Sequence, residues 1–191
     1  MSGPATIGAA QACADMRRWL ERAVIGLNLC PFAKAVHVKG QIHYAVYEPA
    51  EEADLMDALL AEARDLAALD AAVRDTTLLI APNTLADFLD FNDFTARAER
   101  RLAGAGFDGV FQLASFHPQF QFAGTEPDDI GNATNRAPYP TLHLLREESV
   151  DRAVDAFPEA EAIFERNIDT LEALGPTGWA ALDVGPGSAK P

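Results

Sequence analysis

A short apolar run, Thr76 to Ala81, lies between two longer amphipathic segments. Such a run is typical of a strand that is covered on both faces, because neither of its sides is polar. The segment before it carries leucine and alanine at helical spacing from Leu55 to Ala67, and the segment after it does the same from Leu85 to Leu102. Helices that alternate with strands predict an α/β fold with the helices packed on a sheet.

Three further segments have the pattern of strands. Gln41 to Tyr47 alternates between apolar and polar residues, and Gly109 to Phe116 and Thr141 to Leu145 are short and largely apolar. We therefore expect an α/β (α+β) protein with a small, four-stranded mixed sheet. A two-layer sandwich is the simplest arrangement, with a ferredoxin-like topology plus extra helices as one option.

The remaining segments read as helices with clear stop signals. Residues 10 to 28 follow helical spacing and end before Pro31, and Thr84 with Asp87 resembles a capping box. Two helices are predicted near the end of the chain, over residues 149 to 157 and 158 to 174. The pair Gly175-Pro176 is expected to stop the second.

Length and charge set the class of protein. A chain of 191 residues suits one domain, which we place at residues 9 to 182, between flexible tails at 1 to 8 and 183 to 191. The chain has 29 acidic and 15 basic residues and a formal net charge of −14. Because this charge repels phosphate, we expect neither nucleic acid nor an anionic membrane as partner. A small-molecule ligand is the remaining candidate partner.

The cysteines and apolar segments bear on the compartment. The two cysteines, Cys13 and Cys30, match no zinc pattern and cannot cross-link a fold of this size. No secretory signal is visible and no apolar stretch reaches membrane-spanning length, so we expect a cytoplasmic protein. The residues identify no cofactor, substrate or oligomeric state.

The stretch from His117 to Pro140 is the strongest functional signal. A loop of this length is uncommon in a small domain and is usually functional or disordered, and its aromatic residues argue against disorder. Its polar side chains have two interpretations: bonds to the loop's own backbone, or a lip that binds a ligand. The residues concerned are Asp128, Asp129, Asn132, Thr134 and Asn135.

Two arginines belong to the same region. The guanidinium of Arg136 suits a carboxylate or phosphate of a ligand, and it equally suits a structural bond to Asp128 or Asp129. Arg146, just after the last strand, has the same two interpretations.

Histidine and cysteine side chains complete the candidate set. His117 ends one strand and His143 lies in the next, so the two imidazoles would approach each other if these strands pair. Each is a candidate acid or base, or a buried structural residue. Cys30 is a candidate nucleophile, but it follows a helix C-terminus, where the dipole raises a thiol pKa, and a buried structural thiol is the alternative.

Eight stretches along the chain together carry a family resemblance: Val24–Phe32, Thr76–Ile80, Ala114–Pro118, Phe122–Gly124, Asp128-Asp129, Asn132–Glu147, Arg166-Asn167 and Gly178-Trp179. On these stretches the chain resembles a bacterial family catalogued as domain of unknown function 1415. The resemblance implies a small, single-domain cytoplasmic protein and brings no catalytic assignment.

Three functions are consistent with these residues. The first is an enzyme for a polar or anionic metabolite at the 117–140 loop, with His117 as acid or base, Cys30 as a potential nucleophile, and Asn135 and Arg136 as anion-binding groups. The second is a metal-binding protein using His117, His143 and a loop carboxylate. The third is a non-catalytic binding or assembly module that presents the phenylalanines of the loop.

Overall fold

The computed structural model describes residues 6–157, 159 and 162–187. The helices are α1 (Ala9–Trp19), α2 (Ala33–Val38), α3 (Leu55–Ala68), α4 (Phe88–Leu102), α5 (Glu147–Asp155) and α6 (Ile163–Ala181). The strands are β1 (Ile42–Val46), β2 (Thr76–Ile80), β3 (Phe111–Phe116) and β4 (Thr141–Arg146). Wider π-type turns continue α1 over Leu20–Ile25 and α4 over Ala103–Phe107, and a 3₁₀ helix spans Ile130–Asn135.

The strands form one open sheet in the order β1-β2-β4-β3. The pairing of β1 with β2 is parallel, whereas β4 is antiparallel to both β2 and β3. The structure thus confirms the α/β class and the four-stranded mixed sheet. It differs from the ferredoxin-like option, because β1 and β2 are direct neighbours and leave no space for a strand between them.

Helices lie against both faces of the sheet, so the arrangement exceeds two layers. One face, which we call the closed face, carries Leu79, Leu113, Leu142 and Leu144, and these pack under α3 and α4. The other, which we call the open face, carries Leu78, Ala114, His143 and Leu145. Where β2 forms the open face, it packs against α1 and the turn that follows α1. The alternation of side chains along β4 therefore divides the molecule into two different environments.

Two helix ends differ from the sequence predictions. Asp87 is itself the N-cap of α4 and accepts hydrogen bonds from the amides of Leu89 and Asp90, so no capping box forms with Thr84. The predicted break at Gly175 is present as a left-handed residue (φ 69°), but the chain resumes a helical course to Ala181. Pro158, predicted to start a helix, lies outside the described residues.

The expected tails are held in place where the structure describes them. At the start, the side chain of Asn83 bonds to both the amide and the carbonyl of Ile7. At the end, Val184 is buried and the amide of Gly187 donates to the carboxylate of Asp15. As far as Gly187, this segment packs over α1. Residues 1–5 and 188–191 lie outside the described residues.

Candidate functional site

A cavity of about 320 Å³ lies on the open face of the sheet. Its floor is the sheet around His143, and its sides are the turn after α1, helix α2 and helix α5. The lining is mostly apolar, which is typical of a small-molecule site. The apolar wall includes Trp19, Val24, Phe32, Leu78, Phe116 and Leu145.

Local sequence explains why this space is open. Ala114 pairs with His143 across β3 and β4, and its methyl group leaves room above the imidazole. At the opposite side, the π-type turn over Leu20–Ile25 places Leu20 and Val24 in the wall. A Cβ at Gly26 would clash with the carbonyl oxygen of Arg22, so only glycine fits where this wide turn ends. Turns of this type are frequent at functional sites.

His143 is the ionisable group at the floor of the cavity. Its Nε2 lies 2.6 Å from Thr76 Oγ1, and the same hydroxyl donates to the carbonyl of Leu144. Since a hydroxyl has one hydrogen, Oγ1 must accept from His143, which puts the ring proton on Nε2. Nδ1 therefore carries a lone pair, and no residue that the structure describes bonds to it.

The cavity also sets the charge state of this imidazole. Burial lowers the pKa of His143 to about 4, because a charged ring would lose its hydration there. At neutral pH the ring is uncharged, and Nδ1 acts as a hydrogen-bond acceptor. Nδ1 is thus a neutral acceptor among mostly apolar walls.

Cys30 lies in the wall of the same cavity. Burial raises the pKa of its thiol, while hydrogen bonds from the amides of Phe32 and Ala33 oppose this in part. The direction agrees with the expectation from the sequence, but the cause is burial rather than the preceding helix end. At neutral pH the group is a thiol and not a thiolate.

Arg146 lines the cavity at the end of β4, yet its guanidinium is largely committed to the protein. Nη2 donates to the carbonyl oxygens of Leu66 and Leu69 at 2.6 and 2.7 Å, and both Nη2 and Nε bond to that of Arg74. These carbonyls belong to the C-terminal end of α3 and the loop after it, where unpaired acceptors need donors. Arg146 thus joins β4 to α3 and adds positive charge beside the cavity.

The polar residues of the 117–140 loop bond chiefly to the loop's own backbone. The fully buried side chain of Asn132 accepts from the amide of Phe122 and the hydroxyl of Thr125, and it donates to the carbonyl of Glu126. Asn135 donates to the carbonyl of Ser115. The bonds of Asn132 satisfy main-chain groups of the loop, whereas that of Asn135 ties the loop to strand β3.

Arg136 has the same structural use. Its Nε donates to the carbonyl of Phe120, and its Nη2 donates to that of Pro127 at 2.6 Å. Asp129 accepts from the amide of Glu126, and Asp128 is exposed beside it. The loop is thus a self-bonded scaffold, and it lines none of the three cavities described for residues 6–157, 159 and 162–187.

His117 and His143 lie on opposite faces of the sheet. β3 and β4 pair as expected, with Phe116 opposite Thr141 and Ala114 opposite His143. His117 follows Phe116 and points the other way, into α4, where its ring lies 5.0 Å from that of Phe91. The expected approach of the two imidazoles therefore does not occur.

Both ring nitrogens of His117 are bonded to the main chain. Nδ1 accepts from the amide of Gln119, and Nε2 lies 3.0 Å from the carbonyl oxygen of Leu85. The residue is fully buried, and burial lowers the pKa of its ring. It is an internal connector between the loop and α4, with no nitrogen left for a ligand.

The metal-binding hypothesis required His117, His143 and a loop carboxylate at one place. The two histidines are separated by the sheet, so this set is not assembled. Within the described part of the chain, no group of three or more histidine, cysteine, aspartate or glutamate side chains is positioned to hold a metal ion.

Sequence reasoning missed four polar residues at the cavity. Thr76 fixes the His143 tautomer, and Asp75, Gln112 and Ser149 contribute to the lining. One signal was available: Thr76 is a polar residue at the start of an otherwise apolar strand. The other three come from separate elements that only the folded chain brings together.

Fold and site together define a mixed α/β protein with an apolar, histidine-floored cavity between its sheet and its outer helices. The model of the family described as protein of unknown function (DUF1415) matches residues 11–181, and the chain belongs to this family. Comparison with curated proteins gave no match, and comparison with solved structures gave none either. Among the described residues, no helix is both long and apolar enough to cross a membrane.

Proposed function

We propose that the protein binds a small molecule with a largely apolar body in the cavity on the open face. The supporting observation is an acceptor without a protein partner, Nδ1 of His143, at the floor of a mostly apolar cavity of about 320 Å³. Pockets of roughly 300 Å³ and more accommodate small ligands, and a few placed polar groups orient them. The ligand donates one hydrogen bond to Nδ1.

Binding fits these residues better than catalysis does. A general base works best when its pKa lies near the working pH, but the pKa of His143 is about 4. A cysteine nucleophile needs thiolate character, but burial raises the pKa of Cys30. The enzyme expected from the sequence would therefore need its ligand to shift both pKa values.

The wider properties of the chain support the same proposal. Both cysteines are free thiols, which suits the reducing cytoplasm inferred from the sequence. The formal net charge of −14 favours a small ligand over nucleic acid.

The test uses propylphenol and its methyl ether, which have similar apolar bodies and differ in the O–H donor. Calorimetric titration should show propylphenol binding about fivefold more tightly than the ether, since one buried hydrogen bond contributes on the order of 1 kcal/mol. In a His143→Phe variant that difference should vanish. Equal affinities in the native protein would contradict the role of Nδ1, and absence of binding by both would contradict the proposed site.

A second readout locates the ligand. In a Cys13→Ser background, N-ethylmaleimide modifies Cys30, and mass spectrometry follows the rate. Propylphenol at saturation should slow this reaction, with half-protection at the dissociation constant from calorimetry. Binding without protection would place the ligand outside the cavity.

A further inference from the structure

The cavity continues into a second, more polar space near the protein surface. This outer cavity has a volume of about 370 Å³ and shares Phe32, Val36, Asp75, Ser149 and Ala153 with the inner one. Helix α2 lines both spaces on one side, and α5 lines both on the other. The two spaces therefore adjoin between these two helices.

The charged lining of the two spaces is mostly positive. The lining contains Lys39, Arg146 and Arg152 as cations and Asp75 as a carboxylate. This balance is the reverse of the whole chain, in which acidic residues outnumber basic ones by 29 to 15. Local enrichment of cations in an acidic protein favours an anionic ligand group at this place.

The single carboxylate is already engaged. Ser149 Oγ donates to Asp75 Oδ1 at 2.6 Å, and Arg152 Nη2 donates to Ser149 Oγ at 3.0 Å. Arg152 also pairs with Glu148 on the next turn of α5. These hydrogen bonds join α5 to Asp75, which precedes β2. The positive charge of Arg152 partly offsets the negative charge of Asp75.

Lys39 has a different status. It is exposed at the C-terminal end of α2, and no residue in the described ranges 6–157, 159 and 162–187 bonds to its ammonium group. The group stands at the outer cavity as a cation without a partner, next to an apolar passage. A carboxylate is the simplest complement to such an arrangement.

We propose that the ligand is an amphiphilic monoanion: an apolar body in the inner cavity and a carboxylate in the outer one, held by Lys39 and Arg152. This inference rests on the proposed binding function and specifies its ligand class. The apolar walls bind the body, and the two cations select the charge.

The experiment compares three probes with one apolar body: phenylbutyrate, phenylbutanol and phenylbutylamine. Calorimetry at low salt should give the carboxylate about tenfold higher affinity than the alcohol, and the amine the weakest binding. Raising the salt concentration should reduce the advantage of the carboxylate, because both cations are near solvent.

Variants on α2 assign the effect to the outer cavity. Lys39→Gln should weaken phenylbutyrate about threefold and leave phenylbutanol unchanged, and adding Arg152→Gln should weaken it further. Lys34→Gln is the matched control, since Lys34 is exposed on the same helix and lines neither cavity. Circular dichroism confirms that each variant is folded.

The outcomes separate the two proposals. If phenylbutanol binds and phenylbutyrate binds no more tightly, the anionic ligand class is wrong while the cavity still binds small molecules. If Lys34→Gln weakens phenylbutyrate as much as Lys39→Gln, net charge rather than the outer cavity explains selection, and the inference is also overturned. If none of these probes binds while propylphenol does, the anionic ligand class is wrong. If propylphenol fails to bind as well, the proposed function itself fails.

Discussion

The two faces of the sheet place two similar residues, His117 and His143, in different environments. On the closed face, His117 is packed against α4 and both of its ring nitrogens bond to the main chain. On the open face, His143 has one nitrogen fixed by Thr76 and one free within a cavity. Burial lowers the pKa of both rings, so desolvation does not distinguish them. The number of uncommitted ring nitrogens separates a structural histidine from a candidate ligand-binding one.

Adjacent leucines of β4 provide the largest test of this contrast. Leu144 is fully buried on the closed face, whereas Leu145 lines the cavity on the open face. Leu144→Ala should lower the free energy of unfolding by about 4 kcal/mol, because it removes buried methyl groups and leaves a void. Leu145→Ala should cost about 1 kcal/mol, because it enlarges a space that already exists. Urea denaturation measures both values, and equal costs would show that the faces are packed alike.

The pH dependence of stability tests the charge state of His143. Its pKa is about 4 in the folded protein against an ordinary value of 6.5, so between these values the unfolded chain binds a proton that the native state does not. Stability should therefore fall as the pH drops from about 6.5 to about 4, by at most about 3 kcal/mol from this residue. A His143→Phe variant should lose that part of the slope in urea denaturation. An unchanged slope would mean that the imidazole is already protonated or well hydrated.

The loop offers a smaller effect. Asn132→Ala removes three hydrogen bonds at a fully buried position and should cost about 2 kcal/mol. Asn135→Ala removes one bond at a half-buried position and should cost less than about 1 kcal/mol. Neither change should alter the affinity for propylphenol, measured by calorimetry. If Asn135→Ala loses affinity for propylphenol but keeps its stability, the loop takes part in ligand binding.

Much of the fold was accessible from periodicity. The four strands, the amphipathic helices and the pairing of β3 with β4 follow from local patterns, which specify local structure well. The strand order was not accessible, because it depends on how distant segments pack. The self-bonded state of the loop was left open as one of two interpretations, since the same polar residues suit a scaffold and a binding lip.

The site was accessible only in part. Cys30 and His143 were both candidates, but nothing local shows that a turn after α1 and two short helices enclose a space between them. The separation of His117 from His143, by contrast, follows from alternation once Phe116 is paired with Thr141. If the register of β3 against β4 is assigned first, the alternation of side chains predicts that the two histidine rings lie on opposite faces.

The central claim is that the open face, and not the loop, receives a ligand. Nitrogen–proton correlation NMR during titration with propylphenol tests this most directly. The account predicts saturable shifts centred on the amides of Cys30, Ala114, His143 and Leu145, and a change in the Nδ1 resonance of His143. Shifts centred instead on Asn135 and Arg136, with those four amides unmoved, would contradict it.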